Sequence, residues 1–255
     1  MTTQYIADAG VISGDLMDTD SDTGINPSAG SGINTGTGTG TVTAEAVAAE
    51  WRRRAGRPGL ARVMRASQPA ELNAGVTELT RRVLADLLDR AAAAEGRPLR
   101  SVLEAGCGIG RLTPVIAAHA DRVVALDMTP PMLDAAQSAC AGLSNVEFQA
   151  GRVEDACWHG EFDVAVSVWV LMHVLDEDRL RAACQALATS SRYVVLVEYD
   201  HAHVPVSRWS RLRTLVEYQA LLAGAEVVTT RRIDYGGDRS TAALLRCPTR
   251  GDGQC

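Results

Sequence analysis

Within the 255-residue sequence, the stretch Val102-Leu103-Glu104-Ala105-Gly106-Cys107-Gly108-Ile109-Gly110 is the best equipped for chemistry. Its first half is an apolar run that reads as a buried strand, and its second half leads into a helix. Glycines at such a turn let the backbone bend tightly and approach a ligand with no Cβ in between. Asp127 follows 17 residues after Gly110, at the end of the next apolar run. A carboxylate there suits a bidentate grip on two ribose hydroxyls. Glu104, two residues before the first glycine, would attract an ammonium group and repel a pyrophosphate. The glycines are spaced GxGxG rather than GxGxxG, which argues against a nicotinamide dinucleotide site.

Groups able to move a proton follow later strands. His173 lies beyond the run Phe162–Val168, and Glu198, Asp200, His201 and His203 lie at the end of the run after it. Ligands of open α/β sheets bind at such carboxyl ends, so His173, His201 and His203 are the catalytic candidates. The bland alternatives stay open. His173 also reads as a helix-start residue that fixes backbone. The polar stretch Glu198–His203 also reads as a solvated loop, or as an adventitious divalent-cation site through its His-x-His pair. No metal is assigned. Trp51 and Trp169 are candidates to border an acceptor pocket; Trp51, on a short amphipathic helix, reads first as a cap-to-core anchor and second as a lid over the ligand. The run Arg52–Arg54 reads as a solvated face with one or two members on local acids.

The segment from about Val102 to Val174 resembles the class I S-adenosylmethionine (SAM)-dependent methyltransferases, of the kind that modify small molecules in bacterial secondary metabolism and quinone pathways. The matching pieces are LEAGCGIGRLT, VVALDMTPPMLDAAQ, VEFQAGRVED and FDVAVSVWVLMHV, in family order and spacing. The resemblance implies that Glu104 and the backbone of Ala105, Gly106, Cys107 and Gly108 hold the methionine end of SAM. By the same resemblance Asp127 binds the ribose and Met128 packs on the adenine. Val153 and Glu154 lie near the adenine edge, and Ser167, Val168 and Trp169 close the methionine side. The family often has Asp where this chain has Arg152; an Arg cannot accept from the adenine amino group, which leaves that role to Glu154 or Asp155. The implied activity is transfer of a methyl group to a small-molecule acceptor, in antibiotic biosynthesis or other secondary metabolism. Two alternatives accompany it: a non-methylating, cyclase-like SAM enzyme or partner subunit on the same fold, and, more remotely, an NAD(P)-dependent oxidoreductase.

These residues need a particular scaffold. Strand-like and helical runs alternate from Ser101 onward: strands at Ser101–Glu104, Arg122–Asp127, Val146–Gln149, Phe162–Val168 and Arg192–Tyr199, with helices at Arg111–His119, from Thr129 to Gly142, and at Asp176–Ala188. A further helix is expected over about Ser207–Ala223, before strands Glu226–Tyr235 and Thr241–Cys247 joined by a Gly236-Gly237-Asp238 turn. The expected fold is α/β: a Rossmann-like, seven-stranded, mostly parallel sheet with helices on both faces and an antiparallel hairpin at one edge. Ahead of it, Thr43 can cap a helix over Ala44–Arg54. Val76, Leu79, Val83, Leu84, Leu87 and Leu88 mark one face of a second helix that Gly96-Arg97-Pro98 stops. The expected division is a low-complexity, disordered tail (1–42), an N-terminal helical cap (43–98), the SAM-binding domain (99–248) and a C-terminal tail (249–255).

Composition excludes whole classes. All 25 cationic residues are Arg, so no Schiff-base lysine and no P-loop lysine exist. The net charge of −6 comes from the first 50 residues, which hold seven acids and no Arg. The remainder is nearly neutral and offers no basic field for nucleic acid or anionic lipid. The six cysteines form no CxxC pair and read as reduced core thiols. With no basic leader and no apolar run near the ~20 residues of a bilayer span, the expectation is a cytoplasmic enzyme, a small-molecule partner and a candidate homodimer.

Overall fold

Apolar runs of five to eleven residues alternate with amphipathic ones along residues 99–246, and the chain folds accordingly. The structure, a computed structural model, describes residues 42–155, 158, 161–202 and 207–248. The strands are β1 (Leu99–Ala105), β2 (Ala120–Asp127), β3 (Val146–Ala150), β4 (Phe162–Val168), β5 (Ser191–His201), β6 (Glu226–Tyr235) and β7 (Asp238–Arg246). They form one sheet in the order β3-β2-β1-β4-β5-β7-β6. The first five are parallel, and β7 runs antiparallel between β5 and β6. This is the Rossmann-like α/β architecture expected, with the hairpin at the edge. The Gly236-Gly237 pair takes φ of 57° and 91°, the turn geometry that closes a two-residue hairpin.

The helices are α1 (Ala44–Arg54), α2 (Ala70–Glu95), α3 (Thr113–Ala117), α4 (Pro130–Ala139), α5 (Glu177–Ser190) and α6 (Leu215–Leu221). Thr43 caps α1 through its side chain, and Gly96, at φ 66°, ends α2 in the left-handed conformation. Val76, Leu84, Leu87 and Leu88 of α2 are buried, and Leu79 and Val83 pack beside them against β1, β4 and β5 residues. On the other sheet face, α5 buries Leu180, Ala183, Cys184 and Leu187. Cys107, Cys140, Cys184 and Cys247 are buried free thiols, as expected for core cysteines.

One helix is much shorter than expected. Residues 207–214 are not helical, and α6 begins only at Leu215. Thr214 and Glu217 form a reciprocal capping box that fixes this start. The preceding residues bond elsewhere: the Arg211 N–H donates to the Met172 carbonyl, and the Trp209 carbonyl accepts from His173. The tails expected at 1–42, apart from Val42, and at 249–255 lie outside the described residues.

Candidate functional site

The register of the sheet brings the chemistry to one edge. Ala105 pairs with Leu126 on β2 and with Ser167 on β4, so Gly106, Asp127 and Val168 follow side by side at the carboxyl ends. A cavity opens there. It is lined by the loop Glu104–Gly108, by Asp127–Thr129, by Gly151–Glu154, by Val168–Val170 and by His173; α1 closes it with Ala44, Val47 and Trp51.

The glycine loop is shaped by packing. Gly106 has φ 76°, and a Cβ built there would lie 2.5 Å from a methyl of Val170. Gly108 has φ 55°, and its Cβ would meet Val63 at 2.8 Å. The space a side chain would need at these positions is filled by protein. The backbone can therefore line the cavity only if both residues lack a Cβ.

Two acids stand at the glycine-loop end of the cavity. Glu104 is buried and accepts a 2.7 Å hydrogen bond from the Thr113 hydroxyl. Burial pushes its carboxyl up to about 7, against the lowering effects of Thr113 and nearby Arg111, and Asp127 adds a smaller upward push. Asp127 accepts at 2.8 Å from the Gly108 N–H through one oxygen and at 2.8 Å from the Thr129 N–H through the other. Burial raises its carboxyl above the usual range. An ionised carboxylate has about four acceptor sites, so these two bonds leave room for two hydroxyls. Asp127 thus serves the structure and faces the cavity together. Thr129 stands at the start of α4 as expected, but its side chain caps nothing; the Asp127 carboxylate takes its N–H.

Arg111, which sequence reasoning placed only at the start of a helix, lines the cavity. Its Cζ lies 5.0 Å over the Trp169 ring, and its buried Nη1 has no hydrogen-bond partner among the described residues. Burial holds its guanidinium down to about 10. A buried, underused donor fork beside Glu104 fits a zwitterion: the acid takes an ammonium and the guanidinium a carboxylate. The residues present therefore suit the methionine end of SAM. The position directly after the third glycine was the signal available in the sequence.

At the other end, Glu154 accepts from Arg179 at 2.6 Å and 3.0 Å through a single oxygen, with Arg152 3.7 Å away. The acid at the cavity's far wall is therefore Glu154, held by two arginines. Val153 is buried beside it.

Trp169, at the end of β4, has φ 55°, in the left-handed region costly for a bulky side chain, on the order of 1–3 kcal/mol. Its N–H donates to Val197, its indole donates to Ser240 at 2.9 Å, and its ring stacks on Tyr199 at 5.4 Å. These partners hold the strained residue in the cavity wall. Ser167 does not reach the cavity. Strand side chains alternate in direction; Val166 and Val168 face the cavity, and Ser167 is buried with its hydroxyl unpartnered among the described residues.

His173 ends a 3-10 turn (Leu171–His173) and lines the cavity. Its Nδ1 is 2.8 Å from the Trp209 carbonyl. A carbonyl only accepts, so Nδ1 carries the proton and Nε2 keeps its lone pair. Burial, with a contribution from Arg54, pushes the imidazolium down to about 4, so the ring is neutral at neutral pH. Trp51 meets it edge-on at 4.9 Å. The second polar stretch is dispersed. Glu198 is buried under the 170–172 backbone, Tyr199 is in the core, and Asp200 bonds Arg239 and Thr241. His201 is exposed where β5 pairs with Arg239 of β7, away from the cavity lining. The extension of β5 through a bulge carries it there. His203 lies outside the described residues. Among the described residues no cluster of His, Cys, Asp and Glu could hold a metal. No helix among them is long and apolar enough to cross a membrane.

Comparison with known proteins agrees with this geometry. Residues 102–192 match the methyltransferase domain family. The chain is 28% identical over 137 residues to a ubiquinone biosynthesis O-methyltransferase of Actinobacillus pleuropneumoniae, covering 51% of this chain and 53% of that one. It thus spans about half the length of the relative it matches. Among solved structures, the N-methyltransferase NodS of Bradyrhizobium japonicum with S-adenosylhomocysteine (SAH) aligns with TM-score 0.62 at 17% identity, over 80% of this chain and 99% of that chain. Magnesium protoporphyrin IX methyltransferase of Synechocystis with bound SAM aligns with TM-score 0.55 at 18% identity, over 78% and 90%. Segment 102–192 thus matches a methyltransferase domain family, and the fold is one shared with solved methyltransferases.

Proposed function

We propose that the protein is a SAM-dependent methyltransferase that methylates a small-molecule acceptor in bacterial secondary metabolism. One observation carries the reading: Glu104, Asp127 and the Cβ-free turn between them line one cavity. Glu104 receives the ammonium of SAM, Asp127 the ribose hydroxyls, and Met128 and Glu154 the adenine. Arg111 receives the carboxylate. SAM, when bound, supplies an activated methyl on sulfonium. The chain's part is to align the acceptor atom with that methyl and to exclude water. His173 lies where its bare Nε2 can accept a hydrogen bond from an N–H or O–H acceptor. As a weak base it orients the acceptor lone pair, and takes the proton only once methylation has acidified it. His201 and His203 have no part in this reading. A small acceptor is supported by the near-neutral balance of residues 51–255, 24 acids against 25 Arg, which supplies no net positive charge to draw a nucleic acid. The assignment to secondary metabolism rests on the sequence resemblance.

The test is calorimetric titration with SAH and NADH, then incubation with methyl-labelled SAM and extracts of the producing bacterium, read by mass spectrometry. SAH binding in the micromolar range, on the order of −8 kcal/mol, and a labelled product are expected. NADH binding without SAH binding would overturn the reading.

A further inference from the structure

Glu198 is a buried acid outside the lining of the main cavity. Its carboxylate lies beneath the turn that follows β4. One oxygen accepts from the Val170 N–H at 3.0 Å and the Leu171 N–H at 2.7 Å; the other accepts from the Met172 N–H at 3.4 Å. Those three residues join the two groups that shape the cavity from this side. Val170 fills the space over Gly106, and His173 stands against Trp51. The far side of the turn is also tied down. Buried Arg213 donates to the Val174 carbonyl at 3.4 Å and to Glu177 at 3.0 Å.

We propose that Glu198 is a positioning residue: by holding the N–H groups of Val170, Leu171 and Met172 it sets where Val170 and His173 stand in the cavity wall. The cavity's use as a cofactor site rests on the function proposed above. A 3-10 turn leaves its first N–H groups without partners inside the turn. An amide of the same size offers one acceptor oxygen; a carboxyl offers two and gathers all three. The cost of this arrangement is visible. Burial raises the Glu198 carboxyl to about 8, against the lowering pull of three N–H groups and Arg213, so near neutral pH it is largely protonated and accepts the N–H groups through its oxygen lone pairs. Arg213, Asp200 and Tyr218 line the small cavity beside it, and Cys184 of α5 feels its charge. An acid kept there despite burial has a local task, and the bonds it makes identify that task.

The experiment compares wild type with Glu198→Ala, Glu198→Asp and Glu198→Gln on the full chain. Three quantities are read: melting temperature, SAH affinity, and titration of the His173 ring by NMR, assigned with His173→Gln. In the wild type the ring, facing Arg54, Trp51 and the Trp209 carbonyl, stays neutral down to pH 5. Glu198→Ala should weaken SAH about tenfold and let His173 titrate near the ordinary histidine value of about 6.5. Glu198→Asp keeps the carboxyl but withdraws it by one methylene, so it should behave like Ala and carries the test if Ala does not fold. Glu198→Gln keeps the acceptor shared by Val170 and Leu171 and should restore most of both readouts. Variants that lose only melting temperature, with His173 still neutral at pH 6 and SAH affinity unchanged, would overturn the proposal. Wild-type protein that binds no SAH would overturn the functional reading instead, and the His173 titration would still decide the positioning role.

Discussion

At the scale of single residues, the site is a set of charges held against their preference. Glu104 is the clearest case. Its free carboxyl sits at about 7, raised from 4.5 by burial. An ammonium ligand favours the ionised form, so ligand binding must release a proton whenever Glu104 is protonated beforehand. SAH affinity is therefore expected to fall as pH drops below about 7, by up to tenfold per unit, and to be flat in this respect above it. Titrations at pH 6 in buffers of different ionisation heat should show proton release, and Glu104→Gln should abolish it. The folding sign is opposite to that of an ordinary paired acid. With its folded value raised, Glu104 contributes stability below about 4.5 that is lost as pH rises through 7. The Gln variant should therefore be more stable than wild type at pH 8. A wild type whose binding heat is the same in every buffer at pH 6 would contradict the account.

Asp127 holds the start of α4 and, in the proposed function, also the ribose of SAM. Both of its oxygens already accept backbone N–H groups, from the glycine loop and from the start of α4. Asp127→Ala should therefore lose stability, about 2 kcal/mol for two abandoned donors, and also weaken SAH by about two orders of magnitude. Asp127→Asn keeps one acceptor and should fall between on both scales. Melting curves and SAH titrations on the same preparations check this. Unchanged affinity at reduced stability would leave Asp127 a purely structural residue.

At the scale of elements, period and punctuation made most of the fold legible. The Leu99–Ala105 and Phe162–Val168 runs are buried along most of their length, and such strands read plainly. Thr43, Gly96 and Gly236-Gly237 stop or start elements by their own backbone chemistry. The misreading of residues 207–214 has a different origin. That segment bonds to the Leu171–His173 turn, and no local pattern encodes a partner some 35 residues away. Glu198 and Arg111 escaped for the same reason: their meaning lies in which N–H groups or rings the fold brings to them. Ser167 failed on a simple count of strand parity, since Val168 faces the cavity. The short helix α1 makes a testable case at this scale. It adds Ala44, Val47 and Trp51 to the cavity wall, while buried Glu50 accepts from Arg53 and Arg54, the latter lying over the Trp51 ring. Trp51→Ala should speed SAH release about tenfold with little change in melting temperature, and Trp51→Phe should recover part of it. Stopped-flow dissociation measures this directly; an unchanged release rate would make Trp51 only an anchor.

At the scale of the whole molecule, charge and fold are carried by different parts of the chain. Residues 1–40 hold five acids and no Arg, so removing them takes the formal net charge from −6 to −1. The same residues have a Gly-, Thr- and Asp-rich composition with no periodic apolar face, and the expectation from that composition is that they add little to the fold. The elements and cavity-lining residues described all lie within residues 42–248. Deleting residues 1–40 should therefore leave melting temperature and SAH affinity nearly unchanged. Solubility should respond instead, because a net charge near zero removes the mutual repulsion that keeps molecules apart. The truncated protein is expected to precipitate at lower salt and lower concentration than the full chain at pH 7. It should regain solubility at pH 9, where the terminal amine loses its proton and the charge turns more negative. A fall in melting temperature of more than about 5 °C, equivalent to over ~1 kcal/mol, would show that the segment packs on the domain. A drop in SAH affinity at constant melting temperature would show that it covers the cavity.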